Sequence, residues 1–429
     1  MQRPIPQIIQ RLTMKPLPFL LAWLLVIPSA APRAAEPARP QILLYSGWQT
    51  INIGDMGHTL GTLRILEREL PEADVVWWAV SLNDDVRRLH ERRFPKVRIV
   101  QGTVDEQGEP STPELRDAMR RAALLIANSK PGLFSAMLRV ASRFNKPWGA
   151  YGHSYEADTF TKRPELVPLF NRAAFIFCRD TQTLATVRRA GITAKHVAFG
   201  PDGCFGIDVR DDAKAKAWLA ARGLKEREFI TIMLRTNTPK HPTNDEPLNP
   251  QRPTEQQRRD DESRAAKFRE VMIRWVRDTG MKIVIAPEVD KEIAHNRRLL
   301  LDPLPDDVKA KVVLRDTFWL PDEAAAVFAR ARVVVCHEPH SCIIALAMGT
   351  PILHPSSLQH GPKREMFADI GLREWLLDLD AQPAGDITAA LLAIHQDYPA
   401  ALAKVRTAMS FVRERQAETM QTVKASLKP

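Results

Sequence analysis

Residues 41–57 read QILLYSGWQTINIGDMG, an apolar run that passes directly into polar residues and glycines. An apolar run of this length, bounded by turn residues, predicts a buried β-strand that opens into a loop. Residues 57–70 then predict a helix. A strand followed by a loop and a helix is the first unit of a parallel α/β sheet.

The loop after this first strand contains Asn52, Gly54 and Asp55. Its glycines allow the backbone to approach a ligand closely, and the helix that follows offers unpaired amides to an anion. We therefore predict that Asn52, Gly54 and Asp55 bind substrate. The alternative is a simple turn in which Asp55 caps the helix. The spacing is not that of a dinucleotide-binding motif.

The same alternation continues along the chain in two series. The apolar runs of the first series are residues 73–80, 97–100, 122–127, 148–152 and 174–178, and those of the second are residues 229–234, 282–286, 312–314, 333–335 and 351–353. Strands that alternate with helices predict parallel sheets whose ligands bind beyond the carboxyl ends of the strands. The fold class is therefore α/β, with two Rossmann-like domains facing a cleft.

The chain of 429 residues suits two domains. We predict an N-terminal domain over residues 36–215, a C-terminal domain over 216–385 and two amphipathic helices over 386–429 that pack back across the first domain. Residues 236–262 form a polar insertion with five prolines, typical of a lid or a disordered loop.

Residues 1–35 have the pattern of a signal peptide. Arg3, Arg11 and Lys15 precede an apolar run over residues 17–27, and small residues follow. The run is shorter than the roughly 20 residues that span a bilayer, which favours cleavage over an uncleaved anchor. The sequence thus predicts an exported protein in the periplasm or at the cell envelope.

The charge of the chain argues against a nucleic-acid partner. The net charge is +10, and removal of the four basic residues within residues 1–35 leaves +6. The remaining basic residues are interspersed with acidic ones, so no nucleic-acid footprint is formed. An anionic small ligand or a glycan is the better expectation.

The four cysteines contain no C-x-x-C pair, which disfavours a zinc ribbon or a redox site. Export would permit a disulfide, but the apolar surroundings of the cysteines favour buried thiols.

Arg235 directly follows the first strand of the second series, so it is expected at the cleft. An arginine there can hold a carboxylate or phosphate with two hydrogen bonds. The alternative is a structural ion pair with a neighbouring acid.

The segment from His337 to Ser341 follows another buried strand and begins a helix of small residues. His340 and Ser341 are expected at the amino terminus of that helix, where an imidazole can donate to an anion or transfer a proton. His337 and Glu338 would lie beside them. We predict that His337, Glu338 and Ser341 bind substrate. No spacing completes a set of metal ligands, so we predict no metal.

Several of these segments together resemble the polysaccharide pyruvyl transferase family over most of residues 42–378. In chain order they are residues 52–55, 178–183, 190–192 and 201–202, Arg235, residues 340–351, Lys363 and Gly371. The resemblance implies a fold similar to the GT-B glycosyltransferases and transfer of a pyruvyl ketal from phosphoenolpyruvate to a sugar of a cell-surface polysaccharide, without a cofactor. It also implies that Arg235 binds the donor and that His340 is catalytic, and we predict that Lys363 binds substrate.

One position departs from the family pattern. The family usually has an arginine two residues before the histidine, and this chain has Glu338. A carboxylate about 4 Å from the donor would oppose binding by roughly 4 kcal/mol at an effective dielectric constant near 20, or about a thousandfold. The sequence therefore predicts that Glu338 weakens the binding of an anionic donor.

Two alternatives remain open at this point. Glu338 and the residues through Pro351 also resemble the sugar-nucleotide half of glycosyltransferases, in which a glutamate binds ribose. The second alternative is a non-catalytic, exported glycan-binding protein that has kept the fold.

Overall fold

The computed structural model describes residues 39–129, 134–236 and 255–427 of the chain. The predicted signal peptide and most of the proline-rich insertion lie outside these residues. Within them, no helix combines the length and apolar character needed to cross a bilayer.

The first sheet is parallel and has the strand order β3-β2-β1-β4-β5-β6-β7. Its strands are β1 Gln41–Ser46, β2 Asp74–Ala79, β3 Arg98–Gln101, β4 Ala122–Asn128, β5 Trp148–His153, β6 Phe175–Cys178 and β7 Val197–Phe199. All six residues of β1 are buried, as expected of a central strand covered on both faces.

The second sheet is also parallel, in the order β10-β9-β8-β11-β12-β13. Its strands are β8 Phe229–Met233, β9 Lys282–Ile285, β10 Val312–Leu314, β11 Val334–Cys336, β12 Ile352–Ser356 and β13 Leu376–Asp378. Each predicted apolar run overlaps one of the strands. The α/β class with two Rossmann-like sheets is confirmed, while the exact domain borders remain a prediction.

Helices connect the strands and cover both faces of each sheet. They are α1 Ile53–Glu69, α2 Asp84–Arg93, α3 Pro113–Arg121, α4 Ser135–Arg143, α5 Thr159–Lys162, α6 Leu166–Phe170, α7 Thr181–Arg189, α8 Asp212–Ala220, α9 Glu255–Thr279, α10 Glu292–Asn296, α11 Asp306–Lys309, α12 Pro321–Phe328, α13 Pro339–Ala347, α14 Met366–Asp369, α15 Ala384–Gln396 and α16 Tyr398–Ser426. Short 3₁₀ turns span Gly203–Gly206, Leu358–Glu365 and Arg373–Trp375, and a π turn spans Arg297–Leu301.

Helix α1 begins earlier than the sequence predicted, and Asp55 is not its cap. Asn52 is the N-cap, because its side-chain oxygen accepts hydrogen bonds from the amides of Gly54 (2.8 Å) and Asp55 (3.4 Å). The predicted ligand loop is thus largely the first turn of α1. Asn and Asp are both favoured N-cap residues, and the predicted alternative, Asp55, lies three residues after the observed cap.

The two halves of the chain meet through a short antiparallel bridge outside the sheets. Asn52 pairs with Val289, and the flanking bonds run from the Ile53 amide to the Glu288 carbonyl (3.0 Å) and from the Asp290 amide to the Ile51 carbonyl (3.1 Å). The bridge ties the start of α1 to the loop after β9.

Helix α16 returns from the second sheet to the first, as the sequence predicted. The rings of Phe411 and Phe199 stack at 6.4 Å, Arg68 donates to Gln416, and Lys424 pairs with Glu72 at 2.7 Å. The last helix therefore completes the cover of the first sheet.

Candidate active site

The site lies where α1 of the first half meets the carboxyl ends of strands in the second half. Arg235 follows β8, Glu288 follows β9, and Glu338 follows β11. Because the carboxyl ends of parallel strands share one edge of a sheet, these three side chains come together there. His340, in the first turn of α13, lies among them.

His340 is 6% exposed and is held between the two halves of the chain. Its Nδ1 lies 3.6 Å from the Glu288 carboxylate, whose other oxygen accepts hydrogen bonds from the amide (3.0 Å) and hydroxyl (2.5 Å) of Ser341. Its Nε2 has no hydrogen-bond partner among the described residues. Glu288 therefore faces Nδ1 and leaves Nε2 as the nitrogen available for proton transfer.

Helix α1 lies directly against the His340 ring. A Cβ at Gly54 would lie 2.6 Å from the Cβ of His340, so only glycine permits this approach. Asp55, the next residue, is 8% exposed, and burial raises the pKa of its carboxyl against the opposing effect of His58, His340 and Arg235. The predicted residues Gly54, Asp55 and His340 thus occupy one site.

The charge of Glu338 is balanced by its neighbours, and its predicted effect on donor binding remains a prediction. Its carboxylate lies 3.3 Å from Arg235 Nε, 3.1 Å from Lys363 Nζ and 3.3 Å from His360 Nε2. Burial acts to raise the pKa of Glu338, but Lys363, Arg235 and His360 together hold it well below its usual range. Arg235 and Lys363 carry one positive charge more than Glu338, so the carboxylate does not face a donor unpaired.

His337 supports Arg235 from behind. The imidazole is 2% exposed, its Nδ1 lies 3.2 Å from the Arg235 carbonyl, and its ring packs 4.5 Å from that of His360. Burial lowers the pKa of His337 well below its usual value, with a further contribution from His360. His337 is thus a neutral residue that fixes the backbone of Arg235.

A second histidine, His58, lies on α1 one turn after Gly54. Its Nδ1 is 2.8 Å from the Asp202 carboxylate, which also accepts from Arg179 Nη1 at 2.8 Å. Asp202 further caps the turn Gly203–Gly206 through the Cys204 amide. These paired and capping contacts fit a structural role for Asp202.

Two acid–histidine groups bring ligand atoms within 4.8 Å of one another: His58, Asp202 and His340, and Glu288, Glu338 and His340. In the first group, Arg179 and the Cys204 amide already occupy Asp202. In the second, Arg235 and Lys363 neutralise Glu338, and Ser341 occupies Glu288. Both arrangements fit ion pairs and hydrogen bonds better than a cation.

Two of the predicted site residues, Ser341 and Asn52, bind the protein's own groups. The amide and hydroxyl of Ser341 bind Glu288, so the anion at the amino terminus of α13 is a side chain. The side-chain oxygen of Asn52 is used in capping α1. All four cysteines are buried and unpaired.

The sequence analysis did not single out Glu288, His58 or His360 as site residues. Glu288 stands three residues after β9, by the same positional rule that identified Arg235. His58 lies four residues after Gly54, hence on the same face of α1. The position of Glu288 after a strand and the spacing of His58 from Gly54 could therefore have identified both residues from the sequence.

The sequence of the chain matches the model of one known protein family. Residues 52–354 match the model of a family described as polysaccharide pyruvyl transferase. No curated protein sequence matches the chain.

Several solved structures are similar to this chain over most of its length. HepE of Anabaena, in complex with UDP and glucose, is 12% identical, with 90% of this chain and all of that chain covered and a TM-score of 0.52. A UDP-bound ugt transferase from Siraitia grosvenorii is 10% identical, with the same coverage and a TM-score of 0.54. A putative UDP-N-acetylglucosamine 2-epimerase from Listeria monocytogenes is 11% identical over 90% of this chain and 96% of that one, with a TM-score of 0.57. These likenesses confirm an architecture similar to that of the GT-B glycosyltransferases.

Proposed function

Because the chain belongs to the polysaccharide pyruvyl transferase family, we propose that it transfers a pyruvyl ketal from phosphoenolpyruvate to a sugar of a cell-surface polysaccharide. The family makes the chain a transferase-type protein with a glycan acceptor and an anionic donor. The finer assignment, phosphoenolpyruvate as donor and His340 as the catalytic residue, is our proposal.

The convergence of Arg235, Lys363 and His360 on Glu338 carries this proposal. Arg235 faces Glu338 through Nε while its side chain is 36% exposed, and Lys363 is 23% exposed. Both cations therefore keep surface at the cleft while Glu338 fixes their direction. A phosphate or carboxylate that reaches them meets a preformed pair of positive charges.

His340 is suited to the proton transfer that the reaction needs. In pyruvyl ketal formation, C3 of phosphoenolpyruvate gains a proton, two sugar oxygens bond to C2, and the bond from C2 to the phosphate oxygen breaks. The two hydroxyl protons end on C3 and on the released phosphate. His340 Nε2 would move a proton between these atoms while Glu288 orients the ring through Nδ1.

The release of inorganic phosphate from phosphoenolpyruvate in the presence of envelope oligosaccharides tests the proposal. Arg235→Ala and Lys363→Ala should raise the KM for phosphoenolpyruvate, and His340→Gln should lower kcat by about 100-fold or more. Arg277→Ala, which removes an exposed pair with Asp307, is the matched control. Transfer from a sugar nucleotide without any effect of phosphoenolpyruvate would favour a glycosyltransferase instead. Retention of glycan without turnover would favour a binding protein.

We also propose that the protein is exported, on the pattern of residues 1–35. Cell fractionation, with sequencing of the amino terminus of the mature chain, tests this proposal. Since phosphoenolpyruvate is a cytoplasmic metabolite, a mature chain found in the periplasm would contradict phosphoenolpyruvate as the donor and would point to another anionic donor at the same cations. A chain found intact in the cytoplasm would contradict export.

A further inference from the structure

We propose that His58, held by Asp202, is a positioning residue for His340 that fixes the orientation of its ring and its affinity for a proton. The inference rests on the proposed function, in which His340 transfers the proton. It assigns a role in the reaction to a pair of side chains in the first half of the chain.

The side chain of His58 is held rigidly. It is 1% exposed, and its Nδ1 lies 2.8 Å from Asp202 Oδ1. Asp202 is fully buried and is itself fixed by Arg179 Nη1 (2.8 Å) and by the Cys204 amide (2.8 Å). On the other side of the ring, Nε2 lies 3.3 Å from Ser129 Oγ. Close contacts of both ring nitrogens with fixed partners therefore hold the imidazole in one orientation.

The fixed ring of His58 contacts the ring of His340 edge to face. The ring centroids are 4.6 Å apart, and the planes make an angle of 79°. Gly54, one turn earlier on α1, leaves the space that the His340 side chain fills. The spacing of four residues puts Gly54 and His58 on one face of α1, which forms a wall behind His340.

His340 is thereby held from both halves of the molecule. Glu288, on the loop after β9, faces its Nδ1 at 3.6 Å, and the wall of α1 fixes the ring plane. The orientation of the His340 ring thus depends on Glu288 from the second half and on His58 from the first half. His340 therefore has its working geometry only while α1 and the second sheet are in contact.

The charges around His340 also link it to Asp202. The titratable groups that face it are Asp55 and His58 from α1, Asp202 before the turn Gly203–Gly206, Glu288 after β9 and Glu338 after β11. Behind them, Arg179 after β6 pairs with Asp202, and Arg235 after β8 pairs with Glu338. Burial lowers the pKa of His58, so its neutral ring donates Nδ1–H to Asp202. That bond partly shields His340 from the Asp202 carboxylate.

This arrangement predicts opposite effects for two substitutions. Asp202→Asn removes a negative charge near His340, and the pKa of His340 should fall by about one unit. His58→Phe keeps an aromatic ring but removes the donor to Asp202, so the carboxylate acts on His340 unshielded and the pKa of His340 should rise. His58→Gln retains an amide donor and should give a smaller rise than His58→Phe.

The pKa of His340 is measured by NMR titration of the full chain labelled with ¹⁵N-histidine, with the signal assigned by His340→Gln. His90→Gln is the control, because His90 is equally buried but stacks on Trp77. A purely structural role for His58 would change the melting temperature and leave the titration of His340 in place. If Asp202→Asn and His58→Phe both fold and leave the pKa of His340 unchanged, or if His90→Gln shifts it as much, the proposal is overturned.

Kinetics provide a separate measurement. His58→Phe should lower kcat more than His58→Gln and leave the KM for phosphoenolpyruvate unchanged, since His58 does not face the donor. A protein that shows the NMR shifts but never consumes phosphoenolpyruvate would contradict the proposed function and leave the coupling of the two histidines intact.

Discussion

Glu292 and Glu338 show how burial and charge move the acidity of one residue type in opposite directions. Glu292 accepts bonds from the amides of Glu288 and Val289, but burial raises its pKa to about 8. Glu338 is buried as well, and its three basic partners lower its pKa. At neutral pH Glu292 is protonated and Glu338 is ionised. Arg235 therefore forms its ion pair with Glu338.

The raised pKa of Glu292 makes stability depend on pH. Between its ordinary value of 4.5 and about 8, Glu292 keeps its proton in the folded chain and loses it in the unfolded chain. Its contribution to stability is complete below 4.5 and is lost as the pH rises through that window, by about 1.4 kcal/mol per pH unit. Urea unfolding of the native chain and of Glu292→Gln from pH 5 to pH 8 checks this. Parallel curves for the two proteins would contradict it.

Glu338→Gln should increase affinity for an anion. With the carboxylate removed, Arg235 and Lys363 lose their internal partner, and calorimetric titration with phosphoenolpyruvate should give a Kd about tenfold lower. Glu365→Gln, which removes a partner of Arg373 and Arg364, is the control. An unchanged or weaker Kd for Glu338→Gln would mean that the carboxylate is needed to orient the cations.

At the level of secondary structure, the contact between α1 and α13 depends on one glycine. Gly54→Ala would put a methyl group 2.6 Å from the Cβ of His340, so the helices must separate or the ring must turn. We expect a loss of about 1–3 kcal/mol in unfolding free energy and a large fall in kcat. Gly385→Ala is the matched control, because a Cβ there meets nothing within 4 Å. Equal melting temperatures and activities for the two variants would refute the packing argument.

The elements themselves were largely predictable, because buried parallel strands are continuous apolar runs, as residues 41–45 and 229–233 show. Arg235, His340 and Lys363 were predicted to share one site, and the fold does bring them together. The partners of Glu338 were not predictable, because Lys363 and His360 reach it from a turn more than twenty residues away. Local sequence indicates which side chains follow a strand, but their pairing depends on tertiary contacts.

At the scale of the whole molecule, the bridge between Asn52 and Val289 joins the two halves beside a site whose central residues are buried. His340 is 6% exposed and Glu338 is 4% exposed, while Arg235 and Lys363 keep surface at the cleft. A donor that is to pass from these cations to His340 must therefore separate the two halves, as in hinge closure around a ligand. The bridge is one of the contacts that such a motion would break.

A disulfide across the bridge should block entry. Asn52 and Val289 form a non-hydrogen-bonded antiparallel pair, because the backbone hydrogen bonds run between their neighbours. The Cα atoms of such a pair lie about 4.5 Å apart, which is within the range that a disulfide spans. The oxidised double variant Asn52→Cys/Val289→Cys should bind phosphoenolpyruvate at least tenfold more slowly than the same protein after reduction. The single variant Asn52→Cys is the control for loss of the helix cap. Equal binding rates for the oxidised and the reduced double variant would show that the donor enters without breaking this bridge.

The return of α16 to the first sheet has a consequence for how the chain is made. A ribosome working at about 5–20 residues per second finishes Phe199 roughly ten seconds or more before Phe411, its stacking partner. During that interval the early sheet is complete in strands but lacks its last cover. The nascent chain thus exposes an apolar, aggregation-prone surface on its first sheet until α16 has been synthesised. A chaperone would therefore be needed mainly to cover the N-terminal half.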